Sequence, residues 1–95
     1  MSGDIAALRR ELNEIDRELV TLFERRMEVS RRVAEYKREN HLPVLDAGRE
    51  EQVLSSRVEM LLDKSLEQSV KALFTEIMRL SRLLQESMLD RGDEQ

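Results

Sequence analysis

The stretch IAALRRELNEIDRELVTLFERRMEVSRRVAEYKREN, Ile5 to Asn40, decides the fold. One apolar stripe runs through Ile5, Leu8, Leu12, Ile15, Leu19, Leu22, Val29, Val33 and Tyr36. Steps of three and four alternate throughout, which is the seam of a packed helix. The slot between Leu22 and Val29 calls for one more apolar residue, and it holds Arg26. Burying an unpaired guanidinium costs several kcal/mol even after relaxation. Arg26 therefore has a carboxylate partner, reaches out to solvent, or waits for an anionic ligand.

Working outward, the helix starts near Ser2 to Asp4 and runs without Gly or Pro to about Asn40, a good C-terminal cap, with Pro43 blocking continuation. In "VLDAGREE", Asp46 is a good N-cap, and Glu50 and Glu51 suit the first turns of a second helix that runs to about Asp63. "SLEQ", Ser65 to Gln68, has the capping-box pattern and starts a third helix with the seam Leu66, Val70, Leu73, Ile77, Leu80, Leu84. The fold class is all-α, three helices in a single domain over 1–95, with 1–3 and 90–95 frayed. A first helix of about 36 residues spans ~54 Å. A compact domain of this length has a radius of gyration of ~12 Å, hence a diameter of about 30 Å. Two shorter helices cannot cover such a rod, so the expected state is an intertwined homodimer.

Composition narrows the function. Charged residues make up 38% of the chain, and Gly and Pro together number four, which is helix-rich usage. No run approaches the ~18 apolar residues of a membrane span, and the N-terminus lacks the apolar core of a signal peptide. The expectation is a cytoplasmic protein with no membrane partner. With no Cys there is no disulfide framework or thiolate zinc site, and a single His argues against a His-based metal site or catalytic triad. Neither a metal nor a cofactor is expected. The net charge of −4 argues against nucleic acid. The local cluster Arg25, Arg26, Arg31, Arg32, Lys37 and Arg38 is interleaved with Glu24, Glu28 and Glu35, and reads mostly as a solvated face.

The informative residues are polar ones on apolar faces. Lys37 lies eleven residues after Arg26, so the two share a helix face about 16 Å apart, with Val29, Ser30 and Val33 between them. That is a groove floor with a cation at each end, fit to clamp a small molecule carrying two negative groups. Arg9 points about 100° away from Arg26 and lies about 25 Å off. On periodicity alone it reads as a surface arginine, yet an antiparallel pairing of two first helices would bring it to the partner's groove. The third helix carries a second stripe, Phe74, Met78, Ser81, Gln85 and Met88. Ser81 and Gln85 either satisfy each other and nearby carbonyls or face a ligand. Asp46, Arg49 and Glu50 gather at the start of the second helix, where a cap and first-turn charges explain them equally well. No activated nucleophile, phosphate loop or dinucleotide fingerprint is present. An enzyme built this way would hold a flexible dianion in a reactive shape and meet developing charge with fixed donors.

These residues resemble the all-helical chorismate mutases. The resemblance rests on "LRRELNEIDRELVTLFERR" with Leu8, Arg9, Ile15, Asp16 and Arg26, on "VAEYK" ending in Lys37, on "LPVLDAGRE" with Pro43, Asp46, Arg49 and Glu50, and on "SRLLQ" with Ser81 and Gln85. The motifs are short, but their order and spacing run over most of the chain. The polar positions show no departure, and the link between the second and third helices is short. The resemblance implies a rearrangement of chorismate to prephenate by an intramolecular [3,3] shift, on the path to Phe and Tyr. It implies Lys37, Gln85, Arg26 and Glu50 as catalytic residues, with Arg9, Asp46, Arg49 and Ser81 completing the substrate site. Arg26 and the partner's Arg9 would bind carboxylates, and Lys37 would contact a carboxylate and the ether oxygen. Gln85 would donate to that oxygen, and Glu50, with Asp46 near the turn, would receive the ring hydroxyl. Arg49 and Ser81 would complete the carboxylate end, and Val33, Met78 and Leu83 would form apolar wall. An isochorismate pyruvate lyase, sharing the fold and a cationic pocket, is the enzymatic alternative. A non-catalytic helical dimerisation or regulatory module is the other.

Overall fold

Asp4 opens the first helix by accepting from the backbone N–H of Ala6 at 3.1 Å, as an N-cap carboxylate should. The computed structural model describes residues 4–93. Helix α1 (Ile5–Glu39) is followed by α2 (Ala47–Met60), a 3₁₀ turn (Lys64–Leu66) and α3 (Glu67–Asp93). No strand occurs among the described residues, and none of their helices is long and apolar enough to cross a membrane.

The end of α1 is closed by backbone geometry. Leu42 N–H reaches Lys37 C=O at 2.8 Å and His41 N–H reaches Arg38 C=O at 3.3 Å, the two bonds of a Schellman cap. The cap requires His41 at φ 55°, a left-handed conformation that strains any residue with a Cβ. His41→Gly is therefore expected to stabilise the protein by about 0.5–1 kcal/mol, read as a higher midpoint in urea unfolding at unchanged m-value.

Two boundaries differ from expectation. Helix α2 stops at Met60 rather than near Asp63, because Leu61 turns extended and the Lys64 ammonium donates to the carbonyls of the last turn, Val58 (2.9 Å) and Glu59 (3.2 Å). Ser65 does not cap α3. Its hydroxyl donates to the Asp63 carboxylate at 2.6 Å, and the same Asp63 oxygen accepts from Ser65 N–H at 3.0 Å. The stronger acceptor starts the 3₁₀ turn, from which α3 continues at Glu67. Helix α3 runs on to Asp93. Positions 1–3, 94 and 95 lie outside the described residues.

Helix α3 packs on both α1 and α2. The faces that meet are not the long apolar seams. On α1 the buried residues are Ser30 and Ala34, one turn apart and small enough for close helix approach. On α3 they are Met78, Ser81 and Gln85, the stripe beside the seam. The α1 seam stays open, with Leu12 56% and Leu19 55% exposed, and every side chain from Arg9 to Arg25 is exposed. The chain accordingly measures 58 × 27 × 14 Å, with a radius of gyration of 17.1 Å. A self-contained domain of this length would have ~12 Å.

Candidate functional site

The three helices converge on a cleft of about 320 Å³, within the size range of small-molecule sites. Its floor is the stretch of α1 between Arg26 and Lys37, with Val29, Ser30 and Val33 facing it. The start of α2 supplies Asp46, Arg49 and Glu50, and α3 supplies Met78, Ser81 and Gln85. All seven own-chain polar residues singled out from sequence share this cleft. Arg9 does not enter it and is exposed on the projecting part of α1. Leu83, expected as apolar wall, is half exposed and outside the lining, because it lies two residues past Ser81 and so across the helix from it.

At one end Arg26 donates from Nη1 to Ser81 Oγ at 3.2 Å. At the other, Lys37 Nζ donates to the Val44 carbonyl at 2.6 Å and to Gln85 Oε1 at 3.3 Å. Gln85 Nε2 in turn donates to Ser30 Oγ at 3.0 Å. Ser81 and Gln85 thus neither pair with each other nor fall back on their own carbonyls. They orient the two terminal cations, and Ser30 holds the amide. Pro43 and the loop beside it bring the Val44 carbonyl to Lys37 and place Asp46 at the head of α2. There the Asp46 carboxylate accepts from Arg49 N–H at 3.0 Å, while the Arg49 guanidinium reaches Gln52 at 2.7 Å.

Two further residues of the lining carry charge: Arg57 on α2 and Arg82 on α3. Arg82 Nη1 donates to both oxygens of Glu50, a part-buried ion pair joining α3 to α2. No sequence spacing could reveal a pairing across 32 positions. Arg57 does carry a signal, for it follows Glu50 by seven residues and so lies on the same helix face. Five cationic side chains and two carboxylates line the cleft. Burial first, then the charges of Arg57 and Arg49, push the Arg26 guanidinium below its ordinary value. Among the described residues, Arg26, Lys37, Arg49 and Arg57 have no carboxylate at ion-pair distance. No cluster of three imidazole or carboxylate groups among them is placed to hold a metal ion.

Such a cleft suits a small ligand with negative groups at two points and a neutral oxygen between them. No curated protein and no solved structure matched the chain significantly. The sequence profile of one family did match, over residues 8–86, a span that contains every cleft residue described above. That profile is chorismate mutase type II, and the chain belongs to that family.

Proposed function

We propose that the protein is a chorismate mutase, converting chorismate to prephenate in an obligate homodimer. The observation that carries this reading is the pairing of Lys37 with Gln85 at one end of a cleft whose other end holds Arg26 and Ser81. Chorismate is a dicarboxylate with an ether oxygen and a ring hydroxyl. Its rearrangement breaks the ether C–O bond and forms a C–C bond within one molecule, with no proton transferred. The protein then needs to fold the substrate on itself and stabilise the negative charge that builds on the ether oxygen.

Each side chain has a part in that task. Arg26 and Ser81 receive one carboxylate, and Arg49 closes on it from the head of α2. Lys37 leaves the Val44 carbonyl to bind the substrate, and with the Gln85 amide it meets the ether oxygen. Glu50 accepts the ring hydroxyl, aligned by Arg82 through both of its oxygens, with Asp46 holding the start of the helix. The exposed seam of α1 covers the same seam of a second copy running antiparallel, which brings the partner's Arg9 to the carboxylate end. On this reading the protein acts in the cytoplasm, on the path to Phe and Tyr, without a cofactor.

The test is the loss of chorismate absorbance with purified protein, followed by product analysis. Prephenate is expected. Release of pyruvate from isochorismate without prephenate from chorismate would make the protein a lyase, and no turnover of either substrate would make it a binding module. Sedimentation equilibrium is expected to give twice the 11.2 kDa chain mass. A single-chain mass would remove the antiparallel partner and its Arg9.

A further inference from the structure

Arg57 has no part in the scheme above. It lines the cleft from α2, one turn beyond the buried Val53. Its guanidinium lies over the ring of Phe74, 5.7 Å from the centroid, and donates from Nη1 to Ser56 Oγ at 2.9 Å. Those two contacts fix the group without neutralising it, and most of its donors remain uncommitted. Arg26 approaches the same end of the cleft from α1, committed only to a hydroxyl on α3. Among the described residues neither arginine has a carboxylate partner, while the neighbouring Arg82 is matched by Glu50. Of the charges around it, Arg57 is the one that presses hardest on Arg26. Two unmatched guanidiniums held together at a half-dry site repel each other in the empty protein. The same arrangement becomes favourable when one oxyanion sits between them, since each planar fork matches a carboxylate edge.

We infer that Arg57 and Arg26 form a two-arginine anchor for a single carboxylate, and that Arg57 is a substrate-binding residue which sets affinity at that end of the cleft. The anchor rests on the proposed reading of the cleft for its natural ligand, but its chemistry can be probed without turnover. Phe74 and Ser56 then act as the mount that keeps Arg57 aimed inward.

The probe is malonate, titrated calorimetrically into the full-length protein at constant ionic strength. Arg57→Gln is expected to weaken malonate binding by about tenfold, the typical worth of a hydrogen bond to a charged group. Arg57→Lys keeps the charge but not the fork and is expected to fall between the two. Arg79→Gln removes an exposed cation paired with Glu76 and is expected to bind as the wild type does. With chorismate, Arg57→Gln is expected to raise KM by about tenfold while kcat falls by less, because the carboxylate is held alike in ground and transition states. Wild-type protein that binds no malonate, or Arg57 variants that bind it with unchanged affinity, would overturn the anchor. Malonate binding that depends on Arg57 in a protein that leaves chorismate untouched would keep the anchor and remove the mutase assignment. Chorismate turnover with an unchanged KM in both Arg57 variants would do the reverse.

Discussion

Arg26→Ala is expected to lower kcat/KM for chorismate by about 10²–10³ while leaving the fold intact. The magnitude follows from removing one preorganised cation from a half-buried site, about 3–4 kcal/mol of transition-state binding. The fold should survive because Arg26 contributes little to it. Among the described residues its one polar partner is the Ser81 hydroxyl, and it is pressed by Arg57 and Arg49 with no carboxylate at ion-pair distance to answer them. Removing it relieves that repulsion and deprives the Ser81 hydroxyl of one donor. The net change in the urea midpoint is expected to be small and of either sign. Steady-state kinetics beside urea unfolding checks both halves. Wild-type turnover in the variant would remove Arg26 from the site and end the functional reading.

Gln85→Glu is expected to shift activity into acid. The amide is 7% exposed and accepts from Lys37 while donating to Ser30. A protonated carboxyl can donate to the ether oxygen much as the amide does. An ionised one repels the charge developing there and also neutralises Lys37. The active species is therefore the protonated one, present below the carboxyl pKa and lost as pH rises through it. Activity should fall about tenfold for each unit of pH above that value. For a carboxyl at the ordinary Glu value of ~4.3, that is about a 10³-fold loss at neutral pH relative to the acid plateau. Burial would move the limb to higher pH and Lys37 would move it lower. A pH–rate profile for the variant that parallels the wild type would show that this side chain does not face the reacting oxygen.

The helices are legible in the sequence because their signals are local. Asp4, Asn40, Pro43 and Asp46 act on backbone groups within a few residues, and each is where the pattern puts it. The capping-box pattern at Ser65 misleads because the Asp63 carboxylate, two residues earlier, takes both the hydroxyl and the N–H of Ser65 and starts the turn there instead. Periodicity also locates Arg26, Lys37, Ser81 and Gln85 as polar intruders on apolar faces. It cannot tell which apolar face the chain itself buries. The seam of α1 lies open, and the stripe of small residues around Ser30 and Ala34 takes the contact with α3. Nor can it pair Glu50 with Arg82, since that ion pair exists only once α2 and α3 have docked. Arg57 offers the sequence only its shared helix face with Glu50, a signal easily passed over. An arginine on an amphipathic helix is ordinarily solvated, and only the tertiary fold turns this one inward.

Among the described residues, the most buried side chains are Ala34, Val53 and Met78 together with Ser30, Ser81 and Gln85. Heat resistance is commonly engineered by filling an interior with larger hydrocarbon groups. On the proposed reading that route collides with catalysis, because half of those side chains are the very hydroxyls and amide that aim the cations. A hardier variant would have to be sought at helix ends such as His41 and on the outer surfaces, leaving the centre as it is.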